Sequence, residues 1–302
     1  MVDGVASGWQ EVLSSVLQGS VLGGILFNIF IDDLEAVVRA LIKIFADDTK
    51  VARIVESEAD ARELQRDIDR MYEWADKWKM AFNIKKCRVM HIGKKNNEFE
   101  YYIGGANIES AKEEKDLGVW VESTLKPTTQ CESAAKNGNA ALGLIMRVFH
   151  YRTKSTLVPL YKTFVRPKLE YAAMAWSPWL EKDMEAIEKV QKRMVRMLSD
   201  VRGGTYEEKL KEIGMTTLKD RRTRGDLIET YKTLSGLNNV ERDRWFQTQE
   251  EQARPTRANT EIVDGQQTRK DWVLATDKKG LGLGKRTMQK GHTAELLHCQ
   301  SR

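Results

Sequence analysis

Two short β-rich runs, an acidic turn and a long amphipathic pattern follow one another early in the chain, and this order constrains the fold most strongly. β-Branched and other apolar residues fill 41–45 and 51–55, which predicts a β-hairpin around the turn. Apolar residues then recur at intervals of three and four over 61–78, which predicts one helix with a continuous apolar face. Ser57 and Asp60 resemble a capping pair at its start. This part of the chain is therefore predicted to combine strands and helices.

Further elements are predicted on both sides of this segment. The mostly apolar run over 20–34 predicts a buried helix. Residues 81–93 are typical of a strand, and 101–108 of a hairpin arm around two adjacent glycines. From about Thr128 the apolar spacing becomes helical, with prolines and glycines as breaks. The predicted helices lie near 128–150, 153–174, 181–199, 205–213 and 217–236.

The composition limits the class of protein. The 302 residues are 41% hydrophobic and 31% charged, which is enough for a packed core. No run approaches the roughly 18 apolar residues of a membrane span, and no signal peptide is visible, so we expect neither membrane insertion nor secretion. Three cysteines without a CxxC pair predict no disulfide framework and no zinc site, which fits the cytoplasm or nucleus. The net charge of +5 permits nucleic-acid binding without establishing it.

The adjacent carboxylates of Asp47 and Asp48 are the strongest candidates for chemistry. A tight turn between two strands holds such side chains in fixed positions, and carboxylates are the hard oxygen ligands that Mg²⁺ prefers. An ordinary acidic turn is the alternative, because Asp favours turns for local reasons. The surroundings favour the metal site, since a Gln-Gly-Ser sequence lies about one helix and one strand upstream. Lys86 follows on the next predicted strand, and a lysine there suits a proton donor or a charge clamp.

An ordered series of motifs resembles the reverse transcriptases of non-LTR (LINE-type) retrotransposons, most closely their jockey and CR1-like branch. The series includes Gln-Gly-Ser-Val-Leu-Gly at 18–23 and Phe-Ala-Asp-Asp-Thr at 45–49. It continues with Lys-Asp-Leu-Gly-Val at 115–119 and Trp-Ser-Pro at 176–178. The similarity extends over residues 9–275. The order of the motifs makes the resemblance far more specific than any one of them.

The resemblance implies a fold and a division of the chain. The family is known for a right-hand polymerase with fingers, palm and thumb. We therefore expect an α+β protein in which a partial palm, an antiparallel sheet with helices, occupies 1–110. An all-α thumb or connection region is expected over 111–240. Residues 241–302 are expected to form a poorly ordered, divergent tail, because Gln, Glu, Thr, Lys and Gly dominate there and apolar residues are few.

The resemblance also implies roles for individual residues. Asp47 and Asp48 would bind the Mg²⁺ ions of a two-metal site, and Lys86 would complete the catalytic set near the leaving pyrophosphate. Five residues would contact the nucleotide and template: Gln18, Gly19, Ser20, Phe45 and Ala46. The implied partners are an RNA template, a DNA primer and dNTP. The resemblance says nothing of the oligomeric state.

One departure from the family bears on activity. The first metal aspartate of the family lies on a palm strand well upstream of the Gln-Gly-Ser motif, and 17 residues precede Gln18 here. Two divalent cations held by only two carboxylates are poorly neutralised. We therefore expect that the chain alone does not polymerise DNA. The alternative function is a non-catalytic module, derived from a decayed element, that binds RNA/DNA duplex.

The predicted helix near 181–199 carries an apolar face and, opposite to it, a basic face. A basic face of this kind suits contact with template–primer phosphates, and such binding weakens steeply with salt. A solvated basic face without a ligand is the alternative. The candidate nucleic-acid contacts are Lys189, Lys192, Arg193 and Arg196 on this helix and Arg221 and Arg222 farther along the chain.

Overall fold

The computed structural model describes residues 19–93, 96–238 and 293–300, and it combines a central sheet with many helices. The strands are β1 (Leu41–Phe45), β2 (Asp48–Ile54), β3 (Arg88–Ile92), β4 (Tyr102–Ile103), β5 (Ala106–Asn107), β6 (Glu109–Ser110), β7 (Glu113–Asp116), β8 (Val119–Glu122) and β9 (Ala294–Gln300). The helices are α1 (Val21–Ile31), α2 (Leu34–Val37), α3 (Glu58–Lys77), α4 (Thr128–Val148), α5 (Lys154–Leu160), α6 (Arg166–Glu170), α7 (Ala173–Trp176), α8 (Glu181–Arg196), α9 (Tyr206–Glu212) and α10 (Leu218–Leu234). The predicted α+β class is confirmed.

The predicted hairpin and the helix after it are both present. β1 and β2 pair antiparallel, and Phe45 lies opposite Asp48 across the turn. Ser57 and the side chain of Asp60 form a reciprocal capping box at the start of α3. The apolar face of α3 is buried against the sheet, with Leu64 and Ile68 fully enclosed. Local sequence patterns were sufficient to predict the hairpin and α3, because each of these elements packs against its neighbour in sequence.

The main sheet has the strand order β1-β2-β9-β3-β6. β9 pairs antiparallel with β2 on one side and with β3 on the other, whereas β3 and β6 pair parallel. Leu297 and Cys299 of β9 enter the core beneath α3. The expectation of a poorly ordered tail is therefore wrong for 293–300, because that segment forms a central strand. Residues 239–292 lie outside the described part of the chain.

Two other predictions need correction. The helix expected over 20–34 begins at Val21 and ends at Ile31, but it is largely exposed. Val21 is 85% exposed and Ile29 69% exposed in the described structure, whereas Gly23 and Ile31 are buried. Nearly all its residues are apolar, so the sequence contains no stripe that distinguishes a core face from an outer face. The strand expected over 81–93 is limited to β3, because Ile84–Lys86 forms a 3₁₀ turn before it.

All the helices predicted beyond Thr128 are present, and they enclose a second core. α4 and α8 pack together, and Leu142, Ile187 and Met194 are fully buried between the helices. The segment predicted as one helix near 153–174 is divided into α5, a π-helical turn at Tyr161–Val165, α6 and α7. No helix in the described ranges is long and apolar enough to cross a membrane.

The antiparallel hairpin β7–β8 connects the helical core to a small apolar cluster on the face of the sheet opposite α3. Val119 belongs to the helical core, whereas Val121 packs against the sheet residues Met90 and Ile92 on the face opposite α3. The backbone N–H of Trp120 donates to the side-chain oxygen of Gln130 on α4, at 3.0 Å. The hairpin therefore fixes the position of the helical region relative to the sheet.

Candidate active site at the acidic turn

The two candidate carboxylates lie at one end of the sheet, where the β1–β2 hairpin turns. Ala46 adopts a left-handed conformation with φ of 51°, which closes the turn in two residues. Asp47 is exposed at the tip, and Asp48 is the first residue of β2 and is mostly enclosed. Phe45 is exposed beside them. The turn thus presents an aromatic ring and two carboxyl groups at one edge of a rigid sheet.

Asp48 faces a residue that the sequence did not single out. Its Oδ1 atom makes no hydrogen bond within the described residues and lies 3.7 Å from Nε2 of His298 on β9. His298 lies opposite Lys50 on β2 and opposite Arg88 on β3, and Gln300 lies opposite Asp48. The residues beside the acidic turn therefore come partly from the C-terminal strand. No local pattern could have identified His298, because its partners are distant in sequence.

A second feature missed by the sequence is an ion pair that ties the hairpin β7–β8 to the site. Lys50 follows Asp48 by two residues on the same face of β2, and its Nζ pairs with Asp116 on β7. Both side chains are mostly enclosed. Asp116 belongs to the Lys-Asp-Leu-Gly-Val motif, and this motif was the only indication in the sequence that the residue matters for the site. This contact holds β7 close to the acidic turn.

Lys86 lies at the same end of the sheet as the acidic turn. His298 lies opposite both Lys50 on β2 and Arg88 on β3, so Lys50 and Arg88 are at the same level of the sheet. Lys86 precedes Arg88 by two residues, just as Asp48 precedes Lys50, and it therefore lies toward the same end of the sheet as Asp48. Two strand spacings separate β2 from β3, which is about 10 Å. Lys86 is exposed in the 3₁₀ turn, whereas a position on a strand was expected. A role of Lys86 near the leaving pyrophosphate remains a prediction.

The Gln-Gly-Ser motif precedes α1. Gly19 has a φ of 89°, a conformation that favours glycine. Ser20 caps α1, because its Oγ accepts a hydrogen bond from the backbone N–H of Gly23 at 3.0 Å. Gln18 lies outside the described residues. A contact of Gly19 or Ser20 with nucleotide or template remains a prediction.

The donor set at the turn does not by itself fit a site for two Mg²⁺ ions. Among the described residues, no group of three or more His, Cys, Asp or Glu side chains is placed to hold a metal ion. Asp47 and Asp48 supply two carboxylates, and the imidazole of His298 on β9 lies beside Asp48. A two-ion site needs more negative charge than two carboxylates provide.

The basic residues of α8 are on its outer side, as predicted. Lys189, Arg193 and Arg196 are exposed, whereas Ile187 and Val190 of the apolar face are buried. Lys189 lies 3.8 Å from Glu185 of its own helix, and Arg193 donates to Asn139 at 3.1 Å. The ammonium group of Lys192 lies 5.5 Å from the centre of the Tyr206 ring, which contributes cation–π stabilisation. Contact with nucleic acid remains a prediction for these residues.

The structure places Arg221 and Arg222, both candidate nucleic-acid contacts, in different surroundings. Arg221 is bound by both carboxylate oxygens of Glu170, at 2.5 and 3.0 Å. Arg222 is only 7% exposed, and burial lowers the pKa of its guanidinium group. The prediction of a surface contact is therefore corrected for Arg222, because a buried guanidinium cannot reach a duplex. Successive positions on a helix point about 100° apart, so one of two adjacent residues is often turned inward.

Comparison with known proteins agrees with the motifs. Residues 2–121 match the family described as "Reverse transcriptase (RNA-dependent DNA polymerase)". The chain is similar to the RNA-directed DNA polymerase from mobile element jockey of Drosophila funebris, with 30% identity over 213 residues. It is also similar to the protein of that name from Drosophila melanogaster, with 24% identity over 211 residues.

The aligned stretches cover 65% and 66% of this chain but only 23% of each relative, so the chain spans about a quarter of their length. No solved structure matches the chain. The motif order, the acidic hairpin and both kinds of comparison lead to one conclusion. Residues 2–121 of the chain match the reverse transcriptase family, and the chain resembles the enzymes of non-LTR elements of the jockey type.

Proposed function

We propose that this chain is part of the RNA-directed DNA polymerase of a jockey-like non-LTR retrotransposon and works with an RNA template, a DNA primer and dNTP. The acidic turn between β1 and β2 is the observation that carries the proposal, because it lies inside the stretch that matches the family. Asp47 and Asp48 supply two of the carboxylates for Mg²⁺. The remaining ligands come from outside the described residues. Lys86 supplies positive charge at the same end of the sheet.

A chimeric polymerase tests this function. Residues 2–121 would replace the matching stretch of the Drosophila funebris relative, and primer extension on an RNA template would be measured with Mg²⁺. Asp47→Asn and Asp48→Asn are each expected to lower incorporation at least about a hundredfold, because each removes charge from the site. Asp76→Asn is the matched control, since Asp76 is an exposed aspartate on α3. A chimera that is equally active with Asn at position 47 would refute the assignment.

The chain on its own is expected to show no primer extension. The turn carries two carboxylates, and no group of three or more His, Cys, Asp or Glu side chains among the described residues is placed to hold a metal ion. The measurement is incorporation of labelled dNTP by residues 1–302 on an RNA template. Incorporation that disappears in Asp47→Ala would contradict this expectation and would show that the chain carries a complete site.

The alternative function, binding of RNA/DNA duplex without chemistry, is favoured by the exposed basic residues of α8. Replacing Lys189, Arg193 and Arg196 with Gln is expected to weaken duplex binding and to reduce its dependence on salt, by about 0.9 in logarithmic slope for each phosphate that is no longer neutralised. Lys211→Gln is the control, because Lys211 is exposed on α9. A response of the wild-type chain that is flat between low and high salt would exclude this function.

A further inference from the structure

Ser110, His91 and Glu295 form a cluster of side chains that the proposed polymerase function does not use. The Oγ atom of Ser110 on β6 lies 3.0 Å from Nε2 of His91 on β3. The other ring nitrogen of His91, Nδ1, lies 2.5 Å from Oε2 of Glu295 on β9. A hydroxyl, an imidazole and a carboxyl group in this order form the arrangement that activates a serine nucleophile on unrelated folds.

The register of the sheet brings these three side chains together. Val89 lies in the core beneath α3, and His91 is on the same face because alternate residues of a strand share a face. Ser110 lies opposite Val89, and Glu295 lies opposite His91. The positions of all three side chains are therefore fixed by strand pairing.

The cluster is separate from the acidic turn. Asp48 lies opposite Gln300 on β9, and Glu295 is five residues away along that strand, which is about 17 Å. Val51 lies in the core beneath α3, so Asp48, three residues before it on β2, points to the other face of the sheet. Chemistry at Ser110 therefore does not share groups with the acidic turn.

The surroundings of the three groups suit proton transfer. Glu295 is 0% exposed and the side chain of His91 is mostly enclosed, whereas Ser110 is exposed. In its ionised form, the carboxylate of Glu295 favours a proton on Nδ1 of His91, and Nε2 then accepts the proton of the Ser110 hydroxyl. A small electrophile can reach the hydroxyl from solvent while the base stays shielded from bulk water.

A backbone donor beside the hydroxyl is placed to stabilise an oxyanion. The N–H of Ala111 donates to the carbonyl oxygen of Val89, at 2.8 Å. Successive N–H groups of a strand point to opposite edges, so the N–H of Ser110 points away from β3 and toward the outer edge of the sheet, where β6 is the last strand. In acyl transfer, an N–H donor beside the nucleophile stabilises the charge that develops on the carbonyl oxygen.

We propose that Ser110 is the nucleophile of an acyl-transfer site that hydrolyses small carboxylic esters, with His91 as its general base and Glu295 as the positioning residue for the imidazole. The Oγ atom of Ser110 attacks the ester carbonyl carbon while Nε2 of His91 takes the hydroxyl proton. The bond between the carbonyl carbon and the alcohol oxygen then breaks, and His91 gives that proton to the leaving alcohol.

The acyl-serine is released by water. His91 takes a proton from the water as its oxygen attacks the acyl carbon, and the bond from that carbon to Oγ of Ser110 breaks. The proton passes from His91 to Oγ, so the hydroxyl is restored and the carboxylic acid leaves. This reaction needs neither nucleic acid nor metal, and it is independent of the proposed polymerase function.

A fluorophosphonate probe tests the nucleophile in the full chain. The serine oxygen displaces fluoride and forms a stable phosphonyl-serine, which peptide mass mapping locates. Labelling of Ser110 is expected to be at least about a hundredfold faster than labelling of Ser155, because a positioned general base contributes about 10²–10⁴. Ser155 is the matched control, since it is exposed and its Oγ lies 2.9 Å from the hydroxyl of Thr153 instead of an imidazole. Equal labelling of the two serines would overturn the proposal.

Two variants separate the base from its positioning residue. His91→Ala is expected to lower the labelling rate about a hundredfold, and added imidazole is expected to restore part of it. Glu295→Gln is expected to lower the rate about tenfold because the imidazole loses its anionic partner. Since burial raises the pKa of Glu295, the Gln variant is expected to be no less stable than the wild type at neutral pH, so unfolding does not explain this loss. Undiminished labelling in either variant would refute the assigned roles.

Hydrolysis of p-nitrophenyl acetate by the full chain tests turnover. A burst of about one equivalent of p-nitrophenolate is expected, followed by a slower steady rate as the acyl-serine is hydrolysed. Ser110→Ala is expected to fold, because Ser110 is exposed, and to lose the burst. A wild-type chain without a burst, or a burst that persists in Ser110→Ala, would overturn the proposal whatever the result of primer extension.

Discussion

At the scale of single residues, the position of the hairpin depends on one buried carboxylate. Asp67 on α3 is 0% exposed and accepts hydrogen bonds from the backbone N–H groups of Arg39 and Ala40, at 2.9 and 3.0 Å. It also pairs with Arg70 and lies 3.5 Å from Arg53 on β2. One side chain thus joins the helix to the start of β1 and to β2. The acidic turn is held in place from the far end of its own hairpin.

Asp67→Ala is expected to lower the free energy of unfolding by about 3 kcal/mol, because two backbone donors and two partly buried arginines lose their acceptor. Urea unfolding followed by circular dichroism is the measurement. Asp69→Ala is the matched control, since Asp69 is exposed on the same helix and accepts a hydrogen bond from the exposed side chain of Gln65, so a change within about 0.5 kcal/mol is expected. An equal decrease in the free energy of unfolding in the two variants would show that Asp67 has no special role.

At the scale of elements, the helical core depends on close approach between α4 and α6. A Cβ atom at Gly138 would lie 2.5 Å from Cδ2 of the fully buried Leu169, whereas a Cβ at Gly143 of the same helix would meet nothing within 4 Å. Gly138→Ala is therefore expected to destabilise the protein by about 1–2 kcal/mol through overpacking. Gly143→Ala is expected to stabilise it by up to about 1 kcal/mol through helix propensity. Thermal unfolding of both variants measures the difference, and a shift of the same sign in both would contradict this expectation.

The strand β9 makes stability depend on pH through Glu295. Burial raises the pKa of its carboxyl group above the usual value of 4.5, although His91 and Asn96 oppose the shift. The folded protein therefore holds this proton more tightly than the unfolded chain, and the associated stability is present below pH 4.5 and lost as pH rises through the folded pKa. Glu98, Tyr101 and His91 also face this group. Glu295→Gln is expected to remove the loss of stability with rising pH, which is measured as the free energy of unfolding in urea at a series of pH values. A variant with the same pH dependence as the wild type would contradict this expectation.

At the scale of the whole molecule, the described residues form a helical core, a core beneath α3 and a small cluster on the opposite face of the sheet, against which the hairpin β7–β8 packs. The larger helical core contains no residue of β9, whereas Leu297 and Cys299 belong to the core beneath α3. Leu297→Asp is expected to remove protection from hydrogen exchange in β2 and β3 while α4 and α8 stay protected, because the two cores open separately. Leu227→Asp, at an exposed position of α10, is the control. Loss of protection in both regions together would show that the cores unfold as one unit.

The sequence alone determined the elements whose partners are near in the chain. The helix α3 was predicted from its apolar stripe and its capping pair, and the β1–β2 hairpin from the apolar runs on both sides of the acidic turn. Both predictions were possible because the spacing of residues close in sequence specifies these elements. The periodicity of α8 likewise predicted its buried apolar face, whereas the burial of Glu188 and Gln191 did not follow from it. The order of the motifs predicted the resemblance to reverse transcriptases that the family match over 2–121 supports, and it predicted a turn at Asp47 and Asp48.

Only the tertiary structure decided the features that depend on distant segments. β9 carries no recognisable strand pattern, since it is buried on both faces and paired on both edges by residues far upstream. The exposure of α1, the burial of Arg222 and the placement of His298 beside Asp48 have the same origin. Each depends on which segment packs against which, and neither composition nor periodicity encodes that pairing. The turn itself follows from the sequence, but its neighbours follow from the fold.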